Sequence, residues 1–342
     1  MPTPPLVSAV RRSLDSVGLL RPGVFVVAAL SGGPDSVALL DALLRAARKA
    51  GLSVVAAHLD HALRRDSRAD AQFCEELCDR LKVRLRSGRS RPTPKALRDG
   101  GLEEAARLTR YSFLRRVARE ENASAIVLGH TLDDQAETVL MRLVRGSGAL
   151  GLSAMKPWDG ELLRPLLDSR REAVMAHLSA HRLPYCSDPT NTDTTFVRNR
   201  VRHELIPLLE KRFNPNISEA LGRTARTLAE EHSALREVAS QLLDRAAVSS
   251  VEGAAFDLAV LKSAPEGLGK TAIREALRRH GGLRSVSFVH VERLWGLVSQ
   301  GRGGSSLPLP GSRTATVSRG RLILTGHDPE TGRHSREKPF LS

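Results

Sequence analysis

Three short clusters in the first half of the chain combine residue types that can do chemistry. The first is Ser31-Gly32-Gly33-Pro34-Asp35-Ser36. Its glycines let the backbone approach an anion closely and take positive φ. A helix starting there would aim unbonded N–H groups and its dipole at that anion. The hydroxyls of Ser31 and Ser36 add donors, and Asp35 adds a carboxylate to hold Mg²⁺ or to position a phosphate chain. The cluster lacks the Gly-Lys-Ser/Thr ending of a Walker A loop, and it is not Gly-x-Gly-x-x-Gly. Its expected job is to bind the phosphates of ATP.

The second cluster is His58-Leu59-Asp60-His61-Ala62-Leu63-Arg64, and the third is Gly129-His130-Thr131-Leu132-Asp133-Asp134-Gln135-Ala136-Glu137-Thr138. His58 and His130 can face the nucleotide if each ends a strand. Asp133, Asp134 and Glu137 fall within about one helical turn, so they are neighbours on a helix surface. Carboxylates at a helix start cap it. They can also bind the Mg²⁺ of ATP, grip the ammonium of an amine, or accept its proton.

The elements that must hold these clusters are legible from periodicity. Val24–Leu30 is a continuous apolar run, the pattern of a parallel strand buried on both faces. A helix follows over Val37–Lys49, then a strand at Val54–Leu59, a helix at Ser67–Leu81 and a third strand at Val83–Arg86. Next come a helix at Leu102–Glu120, a strand at Ala125–Leu128 and a helix at Asp133–Val144. This alternation implies an α/β fold with a doubly wound, Rossmann-like parallel sheet. Its ligands belong at the carboxyl ends of the strands, where all three clusters fall. The basic stretch Lys82–Arg98, broken by Pro92 and Pro94, is expected to be largely loop.

The second half reads differently. Helices are expected at Arg170–Arg182, Phe196–Phe213, Ile217–Ala247, Gly269–His280 and Val289–Val298. Leu307–Leu309, Thr314–Ser318 and Arg321–Thr325 read as a small β-meander. The domains expected are 1–214, α/β and catalytic; 215–326, mostly helical with that meander; and a loose polar tail, 327–342.

The formal charge is +14, from 52 Lys+Arg against 38 Asp+Glu. That balance points to a polyanionic partner. No apolar run reaches the roughly 18–20 residues that span a bilayer, so no membrane role and a cytoplasmic location are expected. Cys74, Cys78 and Cys186 are too few for a disulfide framework, and the first two read as small buried residues.

Taken together, Ser31–Ser36, Asp60-His61-Ala62-Leu63-Arg64 and His130–Thr138 resemble the PP-loop (N-type) ATP pyrophosphatases. Arg164-Pro165-Leu166-Leu167, Asp188-Pro189-Thr190-Asn191 and Arg198-Asn199-Arg200-Val201-Arg202 narrow the resemblance to the tRNA(Ile)-lysidine synthases. So do Glu104-Ala105-Ala106-Arg107 with Arg110-Tyr111, Arg145-Gly146-Ser147-Gly148, and Leu307-Pro308-Leu309-Pro310-Gly311. Two departures stand out: Thr131 occupies a position where the family often has His, and the chain looks like a short form without a second C-terminal domain.

The resemblance implies an ATP-dependent ligase that joins free L-lysine, through its ε-amine, to C2 of the wobble cytidine of an isoleucine tRNA with a CAU anticodon. An adenylylated cytidine is the intermediate, AMP and pyrophosphate leave, and the tRNA changes from AUG to AUA reading. It also implies roles: Ser31–Ser36 with His58 and His130 for ATP, and Asp35 and Asp134 for Mg²⁺. Asp133 and Glu137 would hold the lysine ammonium, and His61, Arg64, Arg107, Arg198, Arg200 and Arg202 would serve substrate and tRNA. Family members are often dimeric, so a homodimer is expected. The rivals are another PP-loop tRNA enzyme, such as a 2-thiolase, and a non-catalytic tRNA-binding protein. Iron–sulfur thiolases need Cys-x-x-Cys pairs, absent here, and the intact carboxylates argue against a protein without catalysis.

Overall fold

The computed structural model describes residues 5–62, 67–186, 194–251, 253–283, 285–300 and 303–326. Arg64, the Asp188-Pro189-Thr190-Asn191 motif and the tail at 327–342 lie outside the described residues. The chain divides into two compact units, at Leu228 and Ala229.

The first unit begins with α1 (Pro5–Ser16), β1 (Phe25–Ala29), α2 (Pro34–Arg48), β2 (Ser53–Asp60), α3 (Ser67–Leu81) and β3 (Arg84–Arg89). It continues through α4 (Pro94–Glu120), β4 (Ala125–Val127), α5 (Leu132–Val144), α6 (Ala149–Leu152), β5 (Leu162–Leu163) and α7 (Arg171–Ala180). Then come α8 (Val197–Arg200), a π-helical turn (Val201–Leu205), α9 (Ile206–Arg212) and the start of α10 (Ile217–Ala246). The strands form one parallel sheet in the order β3-β2-β1-β4-β5. The chain runs outward from β1 to β3, then returns through α4 to β4 on the other side of β1. The order therefore reverses between β1 and β4, and a crevice opens at their carboxyl ends.

The apolar run of β1 is buried on both faces, as its sequence requires. Val26 and Ala28 join a core with α1, α2, α3 and α7. Val27 faces the opposite core, with Tyr111, Phe113, Leu114 and Val117 of α4. This period of two is the strand's own geometry, and the two cores are the two helical layers of a doubly wound fold. The expectation of a mostly looped Lys82–Arg98 is overturned. β3 pairs in parallel with Val55–Asp60, and α4 already begins at Pro94, so only residues 90–93 between them are irregular. Arg84 and Arg86 alternate with Leu85 on this edge strand, and both arginines pair with Glu121, so charge there is compatible with a strand. Gly101, at φ 74° and ψ 178°, interrupts α4 where the sequence places the helix start.

The second unit holds the rest of α10, then β6 (Ala247–Val248), β7 (Ala254–Asp257), α11 (Leu258–Lys262), α12 (Glu266–Arg279) and α13 (Phe288–Gln300). It ends with β8 (Ser306–Leu309), β9 (Arg313–Ser318) and β10 (Arg321–Thr325). The expected meander is β8–β10, but its sheet has five strands, β6-β7-β10-β9-β8, all antiparallel. Its helices pack on one core that includes Leu242, Ile273, Leu294 and Val317. Trp295 lies on Gly269, where a Cβ would sit 2.2 Å from the ring.

Candidate active site

The loop Ser31–Ser36 joins the end of β1 to the first turn of α2. Gly32 takes φ +85°, a conformation open to glycine. Ser31 N–H donates to Ser36 Oγ at 3.1 Å, and the Ser36 hydroxyl donates to Gly33 O at 2.9 Å. The turn is thus closed by its own serines. Gly33 caps α2 without a side chain and Pro34 opens the helix. No side chain of the cap competes for the first-turn N–H groups, which leaves them for an anion.

Behind this loop stands His58, buried at the end of β2. Its Nδ1 lies 2.9 Å from Leu30 O. A carbonyl only accepts, so Nδ1 donates, and His58 anchors the residue that precedes Ser31. It does not line the cleft. Cys74 and Cys78 are buried in the adjoining core, and burial raises both thiols, Cys78 to about 11.

The third cluster meets the first through backbone. A Cβ on Gly129 would lie 2.9 Å from Asp35 O and 3.3 Å from Ser36 N. Only a residue without a side chain lets the end of β4 lie against the start of α2. Thr131 then caps α5 in a capping box: Asp134 Oδ2 accepts its N–H at 2.9 Å, and its hydroxyl faces Asp134 N. Threonine suits that role, so the departure at this position has a local physical use.

The three carboxylates separate in space. Asp133 Oδ2 accepts Arg171 N–H at 2.8 Å and so caps α7, whose own N-cap supplies no side-chain bond. Glu137 is buried, with Oε2 accepting Arg198 Nε at 2.7 Å and Oε1 accepting Arg202 Nε at 2.5 Å. Asp134 Oδ1 accepts Arg198 Nη2 at 2.8 Å and Arg202 Nη2 at 3.4 Å. Two carboxylates and two guanidiniums form a quartet whose formal charges cancel. Arg198 and Arg202 reach it because they are four apart across the junction of α8 with the π-helical turn. Arg200, two residues from each, is exposed and outside the quartet, as helical spacing requires.

Asp35 differs from the others. Its Oδ1 is buried without a hydrogen-bond partner among the described residues, and its nearest cation is Arg171 at 3.7 Å. Burial pushes its carboxyl up to about 6 against the pull of Arg171, and Asp134 adds repulsion. Burial would do the same to Asp134, but Arg198, His130 and the Thr131 N–H outweigh it and hold that carboxyl below its usual range. His130 is pushed down to about 4 by burial, despite Asp134, with Arg164 and Arg110 adding to the effect. It is therefore neutral at pH 7, and its Nδ1 is buried without a hydrogen-bond partner among the described residues.

These groups line one cleft of about 600 Å³ in the first unit. Ser31, Gly33, Pro34, Asp35, Ser36, His61, Arg107, His130, Asp134, Arg198 and Arg202 all border it. His61 is held below its ordinary pKa by burial and by Arg110. Arg107 is paired fork to fork with Glu104 at 2.7 and 2.8 Å. Sequence reasoning gave no site role to Arg110, Arg171 and Phe196, which also line the cleft. Arg110 rides over the Tyr111 ring at 5.8 Å and is not paired with a carboxylate among the described residues. Its spacing of three from Arg107 on a helix was a readable signal. Arg171 reaches the cleft from α7, which no local pattern connects to the loop.

Asp35 suits a divalent cation: a buried carboxylate oxygen lacks a partner among the described residues, and Asp134 stands on the same cleft. An oxygen-rich pair of this kind matches the preference of Mg²⁺.

A PP-loop domain model matches residues 9–209, and a TilS substrate binding domain model matches residues 256–323. The tRNA(Ile)-lysidine synthase of Thermobifida fusca is 38% identical over 334 residues, which cover 95% of this chain and 98% of that one. The chain belongs to the tRNA(Ile)-lysidine synthase family. The family member from Geobacter sulfurreducens is 40% identical over 301 residues, and there the match covers 86% of this chain but 63% of the relative. Lysidine synthases are ATP-dependent ligases of the PP-loop family, and the PP-loop domain match includes Ser31–Ser36. Among solved structures, the U34-tRNA thiolase NcsA from Methanococcus maripaludis aligns with a TM-score of 0.52 at 19% identity, over 66% of this chain and 79% of that one. That likeness concerns the fold alone. No helix among the described residues is long and apolar enough to cross a membrane.

Proposed function

We propose that this chain joins L-lysine to C2 of the wobble cytidine in a CAU-anticodon isoleucine tRNA, with ATP as the activating co-substrate. In the first step the oxygen on C2 attacks the α-phosphorus of ATP and pyrophosphate leaves. In the second the ε-amine adds at C2 and loses a proton. The bond from C2 to that oxygen then breaks, AMP departs with the oxygen, and the tRNA reads AUA.

The observation that carries this reading is the backbone contact of Gly129 with Asp35 and Ser36. It brings the phosphate loop and the acidic start of α5 to one cleft, so a nucleotide's α-phosphate and an amine can meet there. The loop and the start of α2 would hold the phosphates. Asp35 and Asp134 would hold Mg²⁺, which when bound neutralises phosphate charge. Neutral His130 would offer its unpartnered Nδ1 to a phosphate or to the base. Arg107 and Arg110 would face the tRNA backbone, and Phe196, 40% exposed, gives a base an aromatic face to stack on.

Lysine's head group is a zwitterion, and the Asp134–Glu137–Arg198–Arg202 quartet is built to admit one. An α-ammonium can replace a guanidinium on the carboxylates while the freed guanidinium takes the α-carboxylate, and no net charge is buried. This reading gives Glu137 the ammonium, keeps Asp134 for Mg²⁺ and leaves Asp133 to position α7. It differs from the sequence expectation, which put Asp133 with Glu137.

The test is release of pyrophosphate from ATP by the purified chain. We expect release that requires CAU-anticodon isoleucine tRNA, and free AMP with modified tRNA only when lysine is also present. Release that is indifferent to tRNA would overturn the reading.

A further inference from the structure

A second cluster of donors lies on the same two helices that line the cleft, but none of its members borders the cleft. Asp41 on α2 and His177 on α7 are buried, and His181 follows His177 by one turn at the end of α7. One donor atom from each lies within 4.8 Å of the other two. His177 Nε2 is 2.8 Å from Asp41 Oδ2. The two imidazoles meet edge to face with centroids 4.5 Å apart.

His181 is the informative member. Its Nε2 is buried and has no hydrogen-bond partner among the described residues, although buried ring nitrogens normally have one. A histidine that merely fills a core explains His177, which is bonded to Asp41, but not His181. Its backbone is fixed in place. Its N–H donates to His177 O at 3.1 Å, Leu183 N–H closes the helix on Leu178 O at 2.9 Å, and Arg182 takes φ 49°.

Two imidazoles four apart on a helix, with a carboxylate from a second helix, are a donor set for a divalent transition metal. Nitrogen donors favour zinc-like ions over Mg²⁺. We propose that Asp41, His177 and His181 form a transition-metal site of the Zn²⁺ class, separate from the nucleotide cleft, with water completing the coordination. Arg45 Nε now sits 2.6 Å from Asp41 Oδ2, but its side chain is 41% exposed and swings into water when the metal enters. Bonds of about 2.0–2.2 Å require the donors to close by roughly an ångström, which rotation of the partly exposed His181 ring supplies. The consequence is mechanical. α2 begins at the phosphate loop and α7 begins with Arg171, so the metal staples together two elements that line the cleft.

The test uses the full chain, stripped with a chelator and titrated with Co²⁺ as a spectroscopic probe. We expect visible d–d absorption that saturates at one equivalent and is displaced by Zn²⁺ but not by excess Mg²⁺. His181→Gln and Asp41→Asn weaken binding by roughly tenfold or more, whereas a triple Cys74→Ser, Cys78→Ser, Cys186→Ser variant keeps the band. Zn²⁺ raises the Tm of wild type and of the cysteine variant but not of His181→Gln. Absence of the band in wild type, an unchanged band in both His181→Gln and Asp41→Asn, or loss of the band in the cysteine variant alone would each overturn the proposal.

Discussion

Replacing Asp35 with Asn should stabilise the ligand-free protein while abolishing its chemistry. Asp35 is raised from 3.8 to about 6, first by burial, with one oxygen unpartnered among the described residues and Arg171 at 3.7 Å. Below pH 3.8 the carboxyl is neutral in folded and unfolded chains alike, so the substitution changes little. Between pH 3.8 and 6 the folded chain binds the extra proton, and wild type loses stability as pH rises. Above 6 the loss is complete. A difference of about two units at 1.36 kcal/mol each sets a ceiling near 3 kcal/mol. The side chain is 24% exposed, and screening reduces the expected gain to about 1–2 kcal/mol. The assay is urea unfolding at pH 4, 5, 6 and 8 with EDTA present. Fluorescence of Trp158 is followed in a Trp295→Phe background, so that the first unit alone reports. Asp35→Asn should match the parent near pH 4 and exceed it at pH 8, with no pyrophosphate release. A variant less stable at pH 8, or a gap independent of pH, would refute the picture of a desolvated carboxylate waiting for a cation.

Gly129→Ala should abolish ATP binding measured by calorimetry and lower the Tm, because its methyl would sit 2.9 Å from Asp35 O and force the two turns apart. Arg202→Ala strands half of a carboxylate that is 1% exposed and should destabilise the first unit by about 3 kcal/mol in the same unfolding assay. Glu275→Gln should destabilise the second unit by about 2 kcal/mol at pH 7, because the hydrogen bond from Arg278, outweighing burial, and then Arg236 pull Glu275 down to about 2. As its pKa is depressed, that contribution is complete above about pH 4.5 and is lost as pH falls toward 2. The Glu275→Gln deficit should therefore shrink at pH 3.

The sequence made visible what local pattern encodes. The continuous run of β1, the glycines after it and the period of α2 all lie within one window, and the structure keeps them together. The same holds for β4 and α5. What escaped was set by distance along the chain. β6 and β7 are two and four residues long and exist because β7 pairs with β10, far away in sequence. Arg171 and Asp133 meet only because the start of α7 comes against the start of α5 from 38 residues along the chain, and Glu137 is neutralised by arginines more than sixty residues later. Charge misled at Lys82–Arg98, where a sheet edge tolerates arginines that Glu121, just past the end of α4, can pair. The clustering of Asp133, Asp134 and Glu137 was readable, but their separate partners were not, since helical neighbours can face different elements.

On the function proposed for this chain, an amine is ligated through an adenylate on a nucleobase in the cleft lined by Ser31–Ser36 and Asp134. The most direct measurement is mass analysis of the anticodon nucleosides after reaction of the tRNA with ATP and isotopically labelled lysine. The wobble cytidine should gain the mass of lysine less water, carry the label, and form in amounts equal to AMP and pyrophosphate. Unmodified cytidine beside ATP consumption, a sulfur in place of the lysine, or label on another nucleoside would contradict it.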